Sequence, residues 1–373
     1  MKLFIQPKDG IMPVIRAIQR ARKSLDILIF RFDRGDIEKA LLNAVSRGVA
    51  VRALIAYTNR GGEKHLRDLE MRLLAEGVTV ARTSDDLVRY HGKMMIVDRE
   101  ELLLLAFNFT SLDIEHSRSF GISTRNPALV REALRLFEAD SHRQPYEAGL
   151  PGFVVSPVNA RRELEAFLGK ARTELTIYDP HVGDPAMIRL LDERARAGVK
   201  VRIIGKLTRK NANIAVERMP GIRLHTRVVC RDGEWVFLGS QSLRGTELDL
   251  RREVGVIFRN AEIVKEILRT FEEDWAAAQV AKSVVKEPAP PAAKVAKKVA
   301  KVMTKALPPV APALEVAVKE VVGREVDVPM NPEELEETVK DAVIQAVKEV
   351  VRDVVEEAVE AEEEETAEPV TSR

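Results

Sequence analysis

Two stretches decide the reading of this chain: HGKMMIVD at residues 91–98 and HTRVVCRD at residues 225–232. Each places a histidine, then a cation two residues on, then an aspartate five residues beyond the cation. On a β-strand, positions i and i+2 share a face, so His91 and Lys93, like His225 and Arg227, project to one side. The correspondence continues downstream at the same offset of 134: Asn108 matches Ser242, and HSRSFGI (116–122) parallels DLRREVGV (249–256). Upstream the offset is 150, where ARKSLDILIF (21–30) resembles ARTELTIYDP (171–180) and RGVAVRALI (47–55) resembles AGVKVRIIG (197–205).

Working outward, each copy has the same order: a helix ending in Ala-Arg, a strand, a second helix, a Gly-Val turn, another strand. Amphipathic helices alternating with short β-rich apolar runs define an α/β class. The duplication therefore predicts two tandem pseudo-twofold-related α/β units, each a mixed sheet flanked by helices, over residues 1–148 and 149–280. The leucine run 102–105 reads as a buried strand. Residues 281–330 form an Ala/Pro/Lys-rich segment with no aromatic residue, expected to be a disordered linker. Residues 331–373 carry Asn331 as cap, Pro332 at the first helical position and an apolar stripe from Leu335 to Ala358. That predicts an acidic amphipathic helix and tail, with 331–360 offering a face for a helix partner or for self-association.

Bulk composition narrows the function classes. The 373 residues are 45% hydrophobic, 31% charged and 5% aromatic, which gives few stacking platforms for single-stranded nucleic acid. A single cysteine, Cys230, excludes an internal disulfide and reads as a small buried residue on a strand. The N-terminus lacks the apolar stretch of a signal peptide and no window has the roughly 20 apolar residues of a membrane span, so a cytoplasmic location is expected. Residues 281–373 hold 13 Lys+Arg against 20 Asp+Glu, leaving 46 against 38 in residues 1–280. A basic body suits an anionic, phosphate-bearing ligand.

Two imidazoles and two cations brought to one spot are equipment for attacking a phosphodiester. One histidine can act as nucleophile, and the other can protonate the leaving oxygen and then activate water or an alcohol. The chain has no CxxC or HExxH ligand set, and no metal or cofactor is called for. His181 reads as part of a connecting loop that could line the cleft, whereas no chemistry is expected of His65, His116 or His142. Glu253 could orient a histidine, but its counterpart in the repeat is Ser119, so the duplication gives that role no support. Arg22, Arg52 and Arg202 recur with the repeat and read as covering helix or strand edges.

The twice-occurring H-x-K/R-x4-D pattern with a following Gly-Ser-x-Asn resembles the phospholipase D superfamily, particularly its bacterial phospholipase D-like and cardiolipin synthase-like members, over about residues 1–275. The resemblance implies phosphodiester or phosphatidyl transfer through a phosphohistidine. It implies His91, His225, Asp98 and Asp232 as catalytic residues, with the aspartates fixing the imidazole tautomers. It implies Lys93, Arg227, Asn108, Ser240 and Ser242 as ligands of the substrate phosphate. The motifs depart from the pattern in complementary ways: Leu105-Ala106 replaces Gly-Ser in the first copy, while Arg227 and Ser242 replace Lys and Asn in the second. Three readings follow: an enzyme on phospholipid, with peripheral membrane contact; a nuclease-type phosphodiesterase on DNA or RNA; and a catalytically weakened scaffold.

Overall fold

The computed structural model describes residues 1–57, 63–209 and 211–284. Of the linker expected at 281–330, residues 281–284 instead continue the last described helix; its remainder and the acidic helix expected at 331–373 lie outside the described residues. The first copy runs β1 (Lys2–Gln6), α1 (Met12–Arg20), β2 (Ser24–Ile29), α2 (Gly35–Ser46), β3 (Ala50–Ile55) and α3 (Glu63–Ala75). It continues with β4 (Thr79–Arg82), β5 (Arg89–Tyr90), β6 (Met94–Val97), β7 (Glu101–Leu105), α4 (Ser111–Glu115), β8 (Ser117–Thr124) and α5 (Pro127–Ser141). The second copy opens with β9 (Phe153–Val155), α6 (Ala160–Gly169), β10 (Glu174–Val182), α7 (Pro185–Arg196) and β11 (Lys200–Leu207). There follow β12 (Ala215–Glu217), β13 (Arg223–Leu224), β14 (Arg227–Arg231), β15 (Trp235–Gly239), α8 (Gly245–Asp249), β16 (Arg251–Arg252), β17 (Val254–Arg259) and α9 (Ala261–Val284).

The two sheets have matching strand orders, β1-β8-β7-β6-β2-β3-β4 and β9-β17-β15-β14-β10-β11-β12. Both are mixed: β2 pairs parallel with β3 and antiparallel with β6, as β10 does with β11 and β14. The change of offset from 150 to 134 has a structural cause. Helix α3 stands between β3 and β4, whereas among the described residues no helix stands between β11 and β12.

Each sheet is buried on both faces, which is why its strands read as continuous apolar runs. Along β7, Leu102 and Leu104 join a central cluster, while Leu103 and Leu105 point the other way into a core shared with Ile18, Leu41 and Leu73. The central cluster unites the inner faces of both sheets, Ile122 and Val256 among them, with Leu136 of α5 and Ile267 of α9. A third core lies under α6 and α7, around Leu164, Leu191 and Phe237. Each fully buried side chain of this size contributes roughly 1.5–3 kcal/mol, so a charge at Leu104 would break the seam between the copies.

The copies also exchange strand pairs. β5 pairs with β16 through Arg89–Arg251, and β13 pairs with the start of β8 through Arg223–Ser117. Both partners move by 134 residues between the two pairings, as a twofold relation requires. His91 N–H donates to the Arg252 carbonyl at 2.7 Å, and His225 N–H to that of Arg118 at 3.0 Å. Thus each copy supplies the backbone that holds the other's histidine.

Candidate active site

β6 and β14 run antiparallel to β2 and β10, so the residues entering them lie at the carboxyl ends of the parallel strands, where ligands of open α/β sheets bind. His91 and His225 are both buried there, 6% and 5% exposed. Lys93 Nζ donates to the carbonyl of its own histidine at 2.5 Å, and Arg227 Nη1 does the same at 2.6 Å. Lys93 is enclosed, with its ammonium 5.3 Å from the centre of the Phe30 ring, whereas Arg227 is half-buried and braced by Ser242 Oγ at 3.1 Å.

The carboxylates that meet the imidazoles come from the opposite copies. Glu253 Oε2 and Oε1 lie 2.8 and 3.0 Å from His91 Nδ1, and Asp113 Oδ2 lies 3.5 Å from His225 Nδ1. Neither aspartate of the repeated motif is involved, which corrects the tautomer-fixing role given to Asp98 and Asp232. Asp98 accepts the backbone N–H groups of Arg22, Lys23 and Ser24 at 2.6–3.1 Å, tying the start of β2. Asp232 does the same for Arg172, Thr173 and Glu174 at 2.8–3.2 Å. Both sit at positive φ in the turn that leaves the strand, a conformation aspartate tolerates. The physical reason is reach: five residues at about 3.3 Å each place Asp98 roughly 16 Å along the strand from Lys93.

Glu253, which the repeat left unsupported, occupies the break between β16 and β17 and is fully buried. In the first copy Ser119 stands at that point and β8 runs on unbroken, so His225 draws its carboxylate from α4 instead. The three polar residues expected to hold phosphate support these groups. Asn108 gives both its backbone N–H and its side-chain amide to Asp113 at 2.7 Å. Ser240 hydroxyl accepts from Val254 N–H at 3.1 Å and donates to the Val254 carbonyl at 3.4 Å, next to Glu253, whose carboxyl it helps to lower. Ser242 stands between Arg227 and the buried Asp179. All three are buried beside the groups that face or brace the two histidines.

Charges from both copies act on each histidine. Burial, then the Lys93 and Arg227 charges, hold the His91 imidazole well below its ordinary value. Burial does the same at His225, opposed by Asp113 and reinforced by Arg227, Arg223 and Lys93. Each histidine therefore feels the other copy's cation. Burial also pulls the Lys93 ammonium well down and pushes the Glu253 carboxyl up, Lys93 opposing the latter. Two neutral imidazoles with Nδ1 turned to carboxylates leave both Nε2 atoms for a substrate.

Residues 14–141 match the family described as "Cardiolipin synthase, PLD-like domain", and residues 164–275 match it again. The chain belongs to that family, within the phospholipase D superfamily. Among curated members, the mitochondrial cardiolipin hydrolase of Danio rerio is 31% identical over 123 residues, 32% of this chain and 53% of that protein. The Homo sapiens protein of the same name is 29% identical over 131 residues, 35% of this chain and 50% of that one. The chain thus spans about half the length of the curated relatives it matches. The phosphatidylserine synthase of Haemophilus influenzae Rd KW20 superposes with a TM-score of 0.57 at 12% identity, covering 74% of this chain and 86% of that one. The polyphosphate kinase of Porphyromonas gingivalis gives 0.62 at 20% identity, covering 73% and 49%. These two likenesses speak to the phospholipase D-like fold alone.

The other residues singled out in the sequence fall as follows. Cys230 is buried on β14, its thiol pushed up out of the reactive range by burial. Arg52 binds Asp26 and Glu138, and Arg202 binds Glu174 and Glu272; both lie on interior strands and reach α5 and α9 across the sheet face, where edge positions were expected. His181 belongs to β10 and not to a connecting loop; it contacts Thr208 Oγ1 at 2.9 Å and lines a cleft of about 910 Å³ with Lys206 and Arg218. His116 and His142 are exposed helix caps.

Proposed function

We propose that this protein is a phosphodiesterase or phosphatidyltransferase that works through a phosphohistidine on His91, with a phospholipid as substrate. The observation that carries the reading is the pair of buried imidazoles, each facing a carboxylate from the opposite copy. His91 is the better-held base: Glu253 accepts its Nδ1–H, which leaves the Nε2 lone pair directed at the phosphorus. Attack forms the P–N bond and breaks the P–O bond to the leaving group, whose oxygen takes a proton from His225. The anionic substrate itself favours the protonated form of that second imidazole. Neutral His225 then removes a proton from water or an alcohol, whose oxygen attacks phosphorus and expels His91. Lys93 and Arg227 hold the non-bridging oxygens as charge builds.

A lipid substrate is favoured by the family and by what rims the site. Val88, Leu112 and Leu250 are 58%, 48% and 51% exposed, and each lies within three residues of His91, Asp113 or Glu253. Exposed apolar side chains next to arginines suit peripheral contact with an anionic bilayer. No described helix is long and apolar enough to cross a membrane. The test is turnover of anionic phospholipid vesicles against single-stranded and duplex DNA, by wild type, His91→Ala and His225→Ala. Vesicle turnover lost in both variants supports the reading. Cleavage of DNA alone replaces the lipid with a nucleic acid, and turnover surviving both substitutions removes the mechanism.

A further inference from the structure

The cross-copy relation extends one layer behind the histidines. Arg118 and Arg252 are equivalent residues, 134 apart, and their carbonyls are the ones that accept His225 N–H and His91 N–H. Each guanidinium reaches a carboxylate on the last helix of the other copy. Arg118 Nε and Nη2 donate to Asp274 Oδ2 and Oδ1 on α9, both at 2.8 Å. Arg252 Nε lies 3.2 Å from Asp140 Oδ1 on α5. Asp140 and Asp274 are again 134 apart. Each arginine is tied once more within its own copy, Arg118 Nη1 to the Gln6 carbonyl at 3.1 Å and Arg252 Nη1 to that of Ser156 at 3.3 Å. Those two carbonyl residues are 150 apart, so the whole arrangement obeys the duplication.

We infer that Arg118–Asp274 and Arg252–Asp140 are twofold-related positioning pairs, each fixing the backbone that holds the opposite copy's histidine in line with the phosphorus. The guanidinium anchors the side chain to the far helix while the same residue's carbonyl anchors the histidine N–H. A slack anchor lets the imidazole drift. The pairs differ in grip: Asp274 is held bidentately and also accepts the Tyr178 hydroxyl at 2.6 Å, whereas Asp140 has one arginine contact of 3.2 Å. Burial accentuates the difference by raising the Asp140 carboxyl to about 6, against the pull of Arg252. Ion pairs at the seam of a duplicated fold could simply hold the copies together, but then either substitution would slow every step alike.

This inference rests on the phosphohistidine reading, and the experiment separates the two. Full-length wild type, Asp140→Asn and Asp274→Asn are compared by rapid quench with a phosphodiester bearing a p-nitrophenyl leaving group, which needs no proton to depart. Asp140→Asn should slow adduct formation by about 10- to 100-fold with KM within threefold, because misplacing a reacting group by about 1 Å costs on that order. Asp274→Asn should leave formation within threefold and slow adduct breakdown by about 10- to 100-fold, so that adduct accumulates. Asp140→Glu and Asp274→Glu should recover at least a third of the lost rate in the same step. If either Asn variant fails to fold, Arg252→Lys and Arg118→Lys, which keep the charge and lose the fork, take its place with the same step-specific expectation. Equal slowing of both steps, or no slowing in a folded variant, overturns the inference. Absence of any adduct in wild type overturns the underlying reading instead.

Discussion

The two half-sites share a plan and differ in nearly every supporting residue. His91 is enclosed, with Lys93 beneath it and a carboxylate at 2.8 Å; His225 has a half-buried arginine and a carboxylate at 3.5 Å. The motif departures fall along this line. The second copy keeps Gly239-Ser240, whose hydroxyl bonds the Val254 backbone next to Glu253; the first copy keeps Asn108, whose amide donates to Asp113. The departures are complementary in placement: each copy retains a polar residue near the carboxylate that faces the other copy's histidine. Leu105 fits where Gly239 stands because its register partner Gly121 leaves it room, while Gly239 faces Gly255 across space filled by Phe237 and Gln241.

The comparison can be broken most severely at the histidines. Alanine at either should lower kcat by about 10⁴-fold or more, as for residues that act as a unit, with the double variant little worse than the singles. Next come the carboxylates: Glu253→Gln and Asp113→Asn should each cost about 10²- to 10⁴-fold in kcat. Glu253 should be the costlier because its contact is shorter, and steady-state kinetics of both would check the order. The motif aspartates should behave differently. Asp98→Ala removes an acceptor of three backbone N–H groups, so it should cost roughly 2–4 kcal/mol in urea unfolding while kcat of the folded protein stays within threefold.

The cations sharpen the comparison at smaller effect. Arg227→Lys should leave kcat within about threefold, because the half-buried position keeps its charge. Lys93→Arg should cost more than tenfold, because a planar fork has no room in the enclosed site over Phe30. A pH titration of stability shows the smallest effect. Both imidazoles stay neutral in the fold while the unfolded chain protonates near 6.5, so the fold should lose stability as pH falls through that value. Asp140 acts in the opposite sense: its carboxyl, raised to about 6, binds a proton more readily folded than unfolded and adds stability as pH falls from about 6 toward 4. Unfolding free energies across pH 4–8 should therefore fall more steeply in Asp140→Asn than in wild type, and less steeply in His91→Ala.

Much of this was legible in the sequence. The duplication predicted the paired mixed sheets, but His91 and Lys93 precede β6 and do not share a strand face; Lys93 instead folds back to the His91 carbonyl. What escaped was anything that depends on which copy faces which. Ser119 and Glu253 occupy equivalent positions, so comparison within the chain argued against Glu253; only the exchange of strands at β5–β16 brings it to His91. Asp98 shows the converse: it lies close in sequence to Lys93, but the strand carries it to the opposite end of β6, at the start of β2.

The central claim is that one shared site uses His91 as nucleophile and His225 as acid and base. Acid-quenched protein from a single turnover with ³²P-labelled phospholipid, digested and mapped by mass spectrometry under neutral-loss conditions, tests it most directly. The account predicts an acid-labile phosphoramidate on His91 in wild type, more of it in His225→Ala with an activated leaving group, and none in His91→Ala. An adduct on His225, or one that persists in His91→Ala, would contradict it.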